Sequence, residues 1–290
     1  MKFGAHIYLW TDRWSDDRLD LLDNAAALGL DYLELSVGDD VEFTPALTRE
    51  RAESVGVELI LSPGGRWPEE CDLASRDPAN RRKGRAWHRE VIDLAGQVGA
   101  VAYTGAIYGH PGVIDRSRPS EAGYPYIAEG LHDLAEYAAG RGVELMIEPM
   151  SRFRTHVANT PEQGARLIRM AAHPNLRMVL DTYHVVTEVR DYGDAVRKCG
   201  DRLGGVHACE NDRGVPGGGL VQWERLFDAL VETSFDGYVG METYNTSLTD
   251  FALSRGIFQD LCPDGDEFVR QGLTFLKGEL AAARRRAGGR

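Results

Sequence analysis

The chain has 290 residues, 43% of them hydrophobic and 27% charged, with a mean hydropathy of −0.34 and a formal net charge of −12 from 33 Lys plus Arg against 45 Asp plus Glu. This composition has neither the apolar excess of a membrane protein nor the apolar poverty of a disordered one. An acidic surface of this size repels a phosphate backbone, so nucleic acid is not an expected partner, and the one basic run, Arg284, Arg285 and Arg286, reads as a solvated helix end.

Taken in chain order, short apolar runs alternate with longer stretches whose apolar residues recur at helical spacing. Strands are expected at Lys2–Tyr8, Tyr32–Leu35, Glu58–Ser62, Val101–Thr104, Glu144–Glu148, Arg177–Leu180, Leu203–His207 and Tyr238–Met241. The intervening helices begin at plausible caps: Ser15, then Thr44, Asp77 and Thr160, each of the last three followed by proline. They run out at Gly29, Gly56, Gly99, Gly142 and Gly200, and a C-terminal helix is expected over about 264–286. Eight strand–helix units, with no GxGxxG after the first strand, predict a closed (β/α)8 TIM barrel rather than an open doubly wound sheet. Length permits the whole of 1–290 to be one domain.

The four cysteines, Cys71, Cys199, Cys209 and Cys262, form no CxxC pair, and a chain this long needs no disulfide for its core. The opening MKFGAHIYLW has no sustained apolar region leading to a cleavage site, and no segment approaches a membrane span. A cytoplasmic location with reduced thiols is therefore expected.

In such a barrel the active site forms at the C-terminal ends of the strands. Strand five closes as ELMIEP with Glu148, strand six as RMVLDTYH with Asp181, strand seven as LGGVHACE with His207, and strand eight as YVGMETY with Glu242. Three carboxylates held close together repel unless a cation neutralises them, which points to one divalent metal ion held by Glu148, Asp181, His207 and Glu242. Oxygen-rich ligands with one imidazole suit manganese, magnesium or cobalt better than a structural zinc. No organic cofactor is expected. His184 and Arg213 follow Asp181 and His207 closely enough to donate to a ligand's oxygens, stabilising charge that develops on a carbonyl. Tyr8, Trp14 and Tyr108, among the aromatic residues near strand ends, could wall the apolar face of a sugar. Gly64 and Gly65, like the VPGGG loop after Arg213, could let backbone approach a ligand; that loop lacks the Lys and Ser or Thr of a nucleotide-binding P-loop.

The segments IEPMSRF, LDTYH, VHACENDRGVPGGG and METY, with the opening GAHIYLWTDRW and the C-terminal RGIFQDLCPDGDEFVRQGLTFLKGEL, resemble the D-tagatose 3-epimerase family of xylose-isomerase-like barrels over essentially the whole chain. The resemblance implies a ketose 3-epimerase. Glu148, Asp181, His207 and Glu242 would bind the metal, Glu148 and Glu242 would act as the paired acid and base, and His184 and Arg213 would contact substrate oxygens. Proton abstraction and return at C3 would pass through an enediolate stabilised by the metal. Family members often pair through faces near the last barrel units, so a homodimer or homotetramer is expected. Two positions depart from the motif: Arg154 stands where an acidic residue that helps hold the sugar is common, and Ser151 stands where Asn is frequent. The reversed charge at Arg154 suggests another sugar, or one bearing an anionic or bulkier substituent. The alternative reaction is a lyase using the same acidified C–H, for example a C-glycoside deglycosidase acting on a 3-oxo-glycoside. A multi-zinc nuclease would need more His ligands and a basic surface, against the net charge.

Overall fold

A computed structural model describes residues 1–116 and 121–289. Eight parallel strands, β1 (Lys2–His6), β2 (Tyr32–Ser36), β3 (Glu58–Ser62), β4 (Ala102–Gly105), β5 (Glu144–Ile147), β6 (Leu176–Asp181), β7 (Leu203–His207) and β8 (Tyr238–Met241), pair in sequence order. The cycle is closed by β1 against β8, with Lys2 opposite Tyr238 and Ala5 opposite Met241. Helices α1 (Asp20–Leu28), α2 (Pro45–Val55), α3 (Pro78–Val98), α4 (Tyr124–Ala139), α5 (Pro161–Ala171), α6 (Tyr192–Cys199), α7 (Trp223–Glu232), a short α8 (Thr249–Ser254) and α9 (Gly265–Gly288) surround it. Among the described residues no helix is long and apolar enough to cross a membrane.

The helix boundaries follow local chemistry. The Thr160 hydroxyl accepts from Gln163 N while the Gln163 side chain accepts from the Thr160 backbone, a reciprocal capping box that starts α5 on Pro161. Asp77 caps α3 and Asp264 caps α9. Two expected caps act otherwise. Ser15 makes no side-chain capping bond, and the chain takes a 3₁₀ turn over Asp16–Arg18 before α1 begins at Asp20. Thr44 precedes α2 without capping it, because Asp16 takes both its amide (2.8 Å) and its hydroxyl (2.7 Å). The first strand is shorter than expected as well: Nδ1 of His6 accepts from Tyr8 N at 3.2 Å, turning Ile7–Leu9 into a 3₁₀ helix.

Side chains two apart on a strand share a face, and this periodicity layers the barrel interior. Tyr32, Ile60, Ala102, Met146 and Val179 form a separate buried apolar cluster. Two residues further along their strands come Glu34, Ser62, Thr104, Glu148 and Asp181, all buried. Glycine makes the lower layer possible. A Cβ on Gly4 would lie 2.4 Å from the Tyr32 ring and one on Gly240 2.2 Å from its hydroxyl, so the two adjoining strands β1 and β8 each give up a side chain to admit this ring. The polar layer thus rests on an apolar floor.

Candidate metal centre and active site

Glu148, Asp181, His207 and Glu242 sit at the C-terminal ends of β5, β6, β7 and β8, and one ligand atom from each lies within 4.8 Å of all the others. Nδ1 of His207 is 3.1 Å from Glu148 Oε1, 3.2 Å from Glu242 Oε2 and 4.0 Å from Asp181 Oδ2. Ligands at about 2.1 Å around one octahedral cation are separated by about 3 Å when adjacent and about 4.2 Å when opposite, so the spacing fits a single hard divalent ion. Asp181 Oδ2 supports the same fit. It is fully buried and accepts no hydrogen bond, although Arg213 Nη2 stands 3.0 Å away, off the hydrogen-bonding direction. Its other oxygen, Oδ1, accepts from Tyr183 N at 2.7 Å, which fixes the carboxylate plane.

The electrostatics are those of crowded acids beside fixed cations. Burial raises the Glu148 carboxyl to about 7, with the charges of Asp181 and Glu242 adding and His207 opposing. Burial acts on Glu242 in the same sense, but the Arg213 guanidinium (Nη1 to Oε2, 3.1 Å) and His207 hold it well below the usual range. The His207 ring is itself held well above its ordinary value despite burial, because Glu34 and Glu148 face its two nitrogens. Burial lowers His184 to about 4, against the pull of Asp181, so its imidazole is neutral.

All of these groups but Asp181 line a cavity of about 130 Å³, room for one small molecule. Of the residues expected to contact substrate, His184, Arg213, Tyr8 and Arg154 line it. Three do not. Trp14 is completely buried and its indole donates to Thr48 Oγ1 at 3.1 Å, so it packs the core beneath α2. Tyr108 lies behind the wall, its hydroxyl 3.0 Å from the Glu148 carbonyl and 3.1 Å from that of Ala158, where it braces the backbone leaving β5. Gly65 faces Gly38 and Asp40 and donates to Val37 O; its neighbour Gly64 is the one on the cavity.

Sequence reasoning passed over several residues that the fold brings here. Glu34 accepts from His207 Nε2 at 3.0 Å, and His6, Ser62, Tyr183, Tyr244 and Arg255 complete the wall. Glu34 and Ser62 carry the same signal as the four clustered residues, a polar residue at or near the end of an apolar strand; Arg255, beyond α8, carries none. The glycine-rich loop does bring backbone close, but to Glu210 rather than to a ligand. Glu210 accepts from Gly217 N (2.7 Å), Val221 N (3.2 Å) and Trp223 Nε1 (2.6 Å), and a Cβ on Gly219 would lie 2.5 Å from its carboxylate. Glu210 O also accepts from Arg213 N, and Arg213 takes a left-handed φ of 72°, a strained backbone that aims its side chain inward.

The model of the xylose isomerase-like TIM barrel family matches residues 22–278. The chain belongs to that family. An L-ribulose 3-epimerase from Methylomonas sp. is 28% identical over 284 residues, covering 96% of this chain and 97% of that protein. A D-psicose 3-epimerase from Agrobacterium fabrum is 29% identical over 285 residues, covering 96% and 98%. A solved L-ribulose 3-epimerase structure superposes with a TM-score of 0.91 at 26% identity, covering 99% of this chain and 97% of that one. The motif resemblance to ketose 3-epimerases therefore holds over the full length, and the chain is an enzyme of the isomerase class.

Proposed function

We propose that this family member is a divalent-metal-dependent ketose 3-epimerase, acting on a small sugar by moving a proton from one face of C3 to the other. The reading is carried by four consecutive strand ends whose ligand atoms lie within 4.8 Å of one another. Glu148, Asp181, His207 and Glu242 would hold the ion, with manganese our first assignment and magnesium or cobalt the alternatives. When bound, such a cation polarises the sugar's carbonyl and acidifies the adjacent C–H.

Glu148 and Glu242 form the acid–base pair. They follow two different strands, β5 and β8, and both line the cavity, which suits a reaction in which one side chain takes a proton while the other supplies one. Ionised Glu242 removes the C3 proton; the C3–H electrons become the C2=C3 bond, and the C2 carbonyl oxygen takes the negative charge of an enediolate. A proton passed on through Glu148 then reaches the opposite face of C3, the carbonyl re-forms, and the carbon is inverted. The reverse reaction exchanges the two roles. Arg213, fixed between Asp181 and Glu242, and neutral His184 donate to the oxygens whose charge grows.

The test is NMR in deuterated water with a ketose panel and added manganese, magnesium or cobalt. The expected result is deuterium at C3 together with the inverted partner sugar, lost on the order of 10²–10⁴-fold in Glu148→Gln and Glu242→Gln, with metal content measured in parallel. No exchange in any ketose, with aglycone released from a 3-oxo-glycoside, would replace this reading by a lyase. We also assign a homodimer or homotetramer: Phe153, Leu220 and Phe258 are 71%, 73% and 80% exposed on the loops after β5, β7 and β8.

A further inference from the structure

The cavity wall is unevenly supplied with hydrogen-bonding groups. Its carboxylates are Glu34, Glu148 and Glu242, all three gathered around His207, and among the described residues it contains no Asn or Gln. On the Tyr8 side the wall is instead built from His6, Ser62, Gly64, Trp67 and Arg255. His6 is buried with Nδ1 already accepting from Tyr8 N, so Nε2 carries the proton and faces Ser62 Oγ at 3.2 Å, with Glu34 Oε1 farther off at 3.9 Å. The Tyr8 hydroxyl is shared with Ser36 at 2.6 Å.

Arg255 dominates this end. Nη2 donates to the Gly64 carbonyl at 2.7 Å and to Tyr8 Oη at 3.1 Å, and the guanidinium sits 5.2 Å from the Tyr8 ring, 5.8 Å from Tyr244 and 5.2 Å from Phe251. It makes no ion pair with a carboxylate among the described residues. A guanidinium donates only, whereas each hydroxyl of a neutral sugar also has a proton to give away. A wall with a fixed cation and few free acceptors matches a group that only accepts. Arg154, on the His184 side, adds a second guanidinium with no ion pair among the described residues.

Building on the ketose reading above, we propose that the substrate is a ketose bearing an oxyanion, a carboxylate or a phosphate, on the end of its chain away from the carbonyl, and that Arg255 seats that group. The carbonyl end lies with Arg213 and His184; the charged end lies against Arg255, whose aromatic surround and backbone anchor hold it in place before substrate arrives.

The experiment compares kcat/KM of the manganese-loaded enzyme for a neutral ketohexose, its 6-phosphate and the corresponding keto-uronate. In parallel, calorimetry with the non-reacting pair gluconate and sorbitol, and with sorbitol 6-phosphate, reads binding without turnover. One anionic substrate is expected to exceed the neutral sugar by about tenfold or more, with the carboxylate and phosphate arms identifying which oxyanion fits. Arg255→Met is expected to remove most of that preference and Arg255→Lys to keep part of it, circular dichroism confirming that both variants fold. Equal kcat/KM on charged and neutral ketoses, or a preference untouched in Arg255→Met, overturns the proposal and leaves the epimerase standing. If no ketose is epimerised, the epimerase reading fails, and the proposal then stands or falls on whether gluconate or sorbitol 6-phosphate outbinds sorbitol in an Arg255-dependent way.

Discussion

Glu34 decides which nitrogen of His207 faces the cluster. Its carboxylate takes the Nε2 proton at 3.0 Å, so it is Nδ1 that, on losing its proton, can offer a lone pair to a cation among Glu148, Asp181 and Glu242. Such outer carboxylates set the tautomer and basicity of a ligating imidazole, so Glu34→Gln is expected to weaken manganese binding by about 10–100-fold, read by calorimetry. Protons compete at the same cluster. A cation entering must displace the proton that burial holds on Glu148 up to about pH 7, and any on His207 Nδ1, so affinity rises with pH. From pH 6 to 8 the Glu148 proton alone accounts for about a tenfold gain, checked by titrations in buffers of different ionisation heat. The four clustered residues proposed to hold the metal were legible because each ends an apolar strand. Arg255 was not, since a loop residue's place at a pocket depends on how the chain returns after the last strand, which no local pattern encodes.

The capping box that opens α5 ties that helix to the loop leaving β5, the segment that follows Glu148 and carries Arg154. Asn159 lies within it: its amide donates to the Met150 carbonyl at 2.7 Å, and its own N–H reaches the Gln163 side chain. Thr160→Ala is expected to cost about 1 kcal/mol, a fall of roughly 2–4 °C in melting temperature. Strand and helix order were readable because the periodicity changes sharply at each glycine: Gly29, Gly56 and Gly99 take left-handed φ values of 77°, 72° and 71° right after their helices. What misled was polarity without a partner in view. Ser15 and Thr44 have the right chemistry for caps, yet Asp16 outcompetes the helix for Thr44, and Trp14 sits near a strand end in sequence while its indole turns to Thr48. Those outcomes depend on which neighbour reaches first in three dimensions.

For the whole molecule, the assigned assembly makes a direct prediction. If the exposed Phe258, which follows α8 and lines one surface groove with Leu253 of that helix, is covered by another copy, sedimentation of the purified chain will give a dimer or tetramer, and Phe258→Glu will shift it toward monomer. The Tyr32 floor bears on traffic through the site. Below the polar layer the interior of the barrel leaves only about 10 Å³, no more than one water's room, between Tyr32, Ile60, Met146 and Val179. The chamber is a blind alley: a sugar backs out by the door it came in, so substrate and epimer queue for one doorway and each blocks the other in proportion to its concentration.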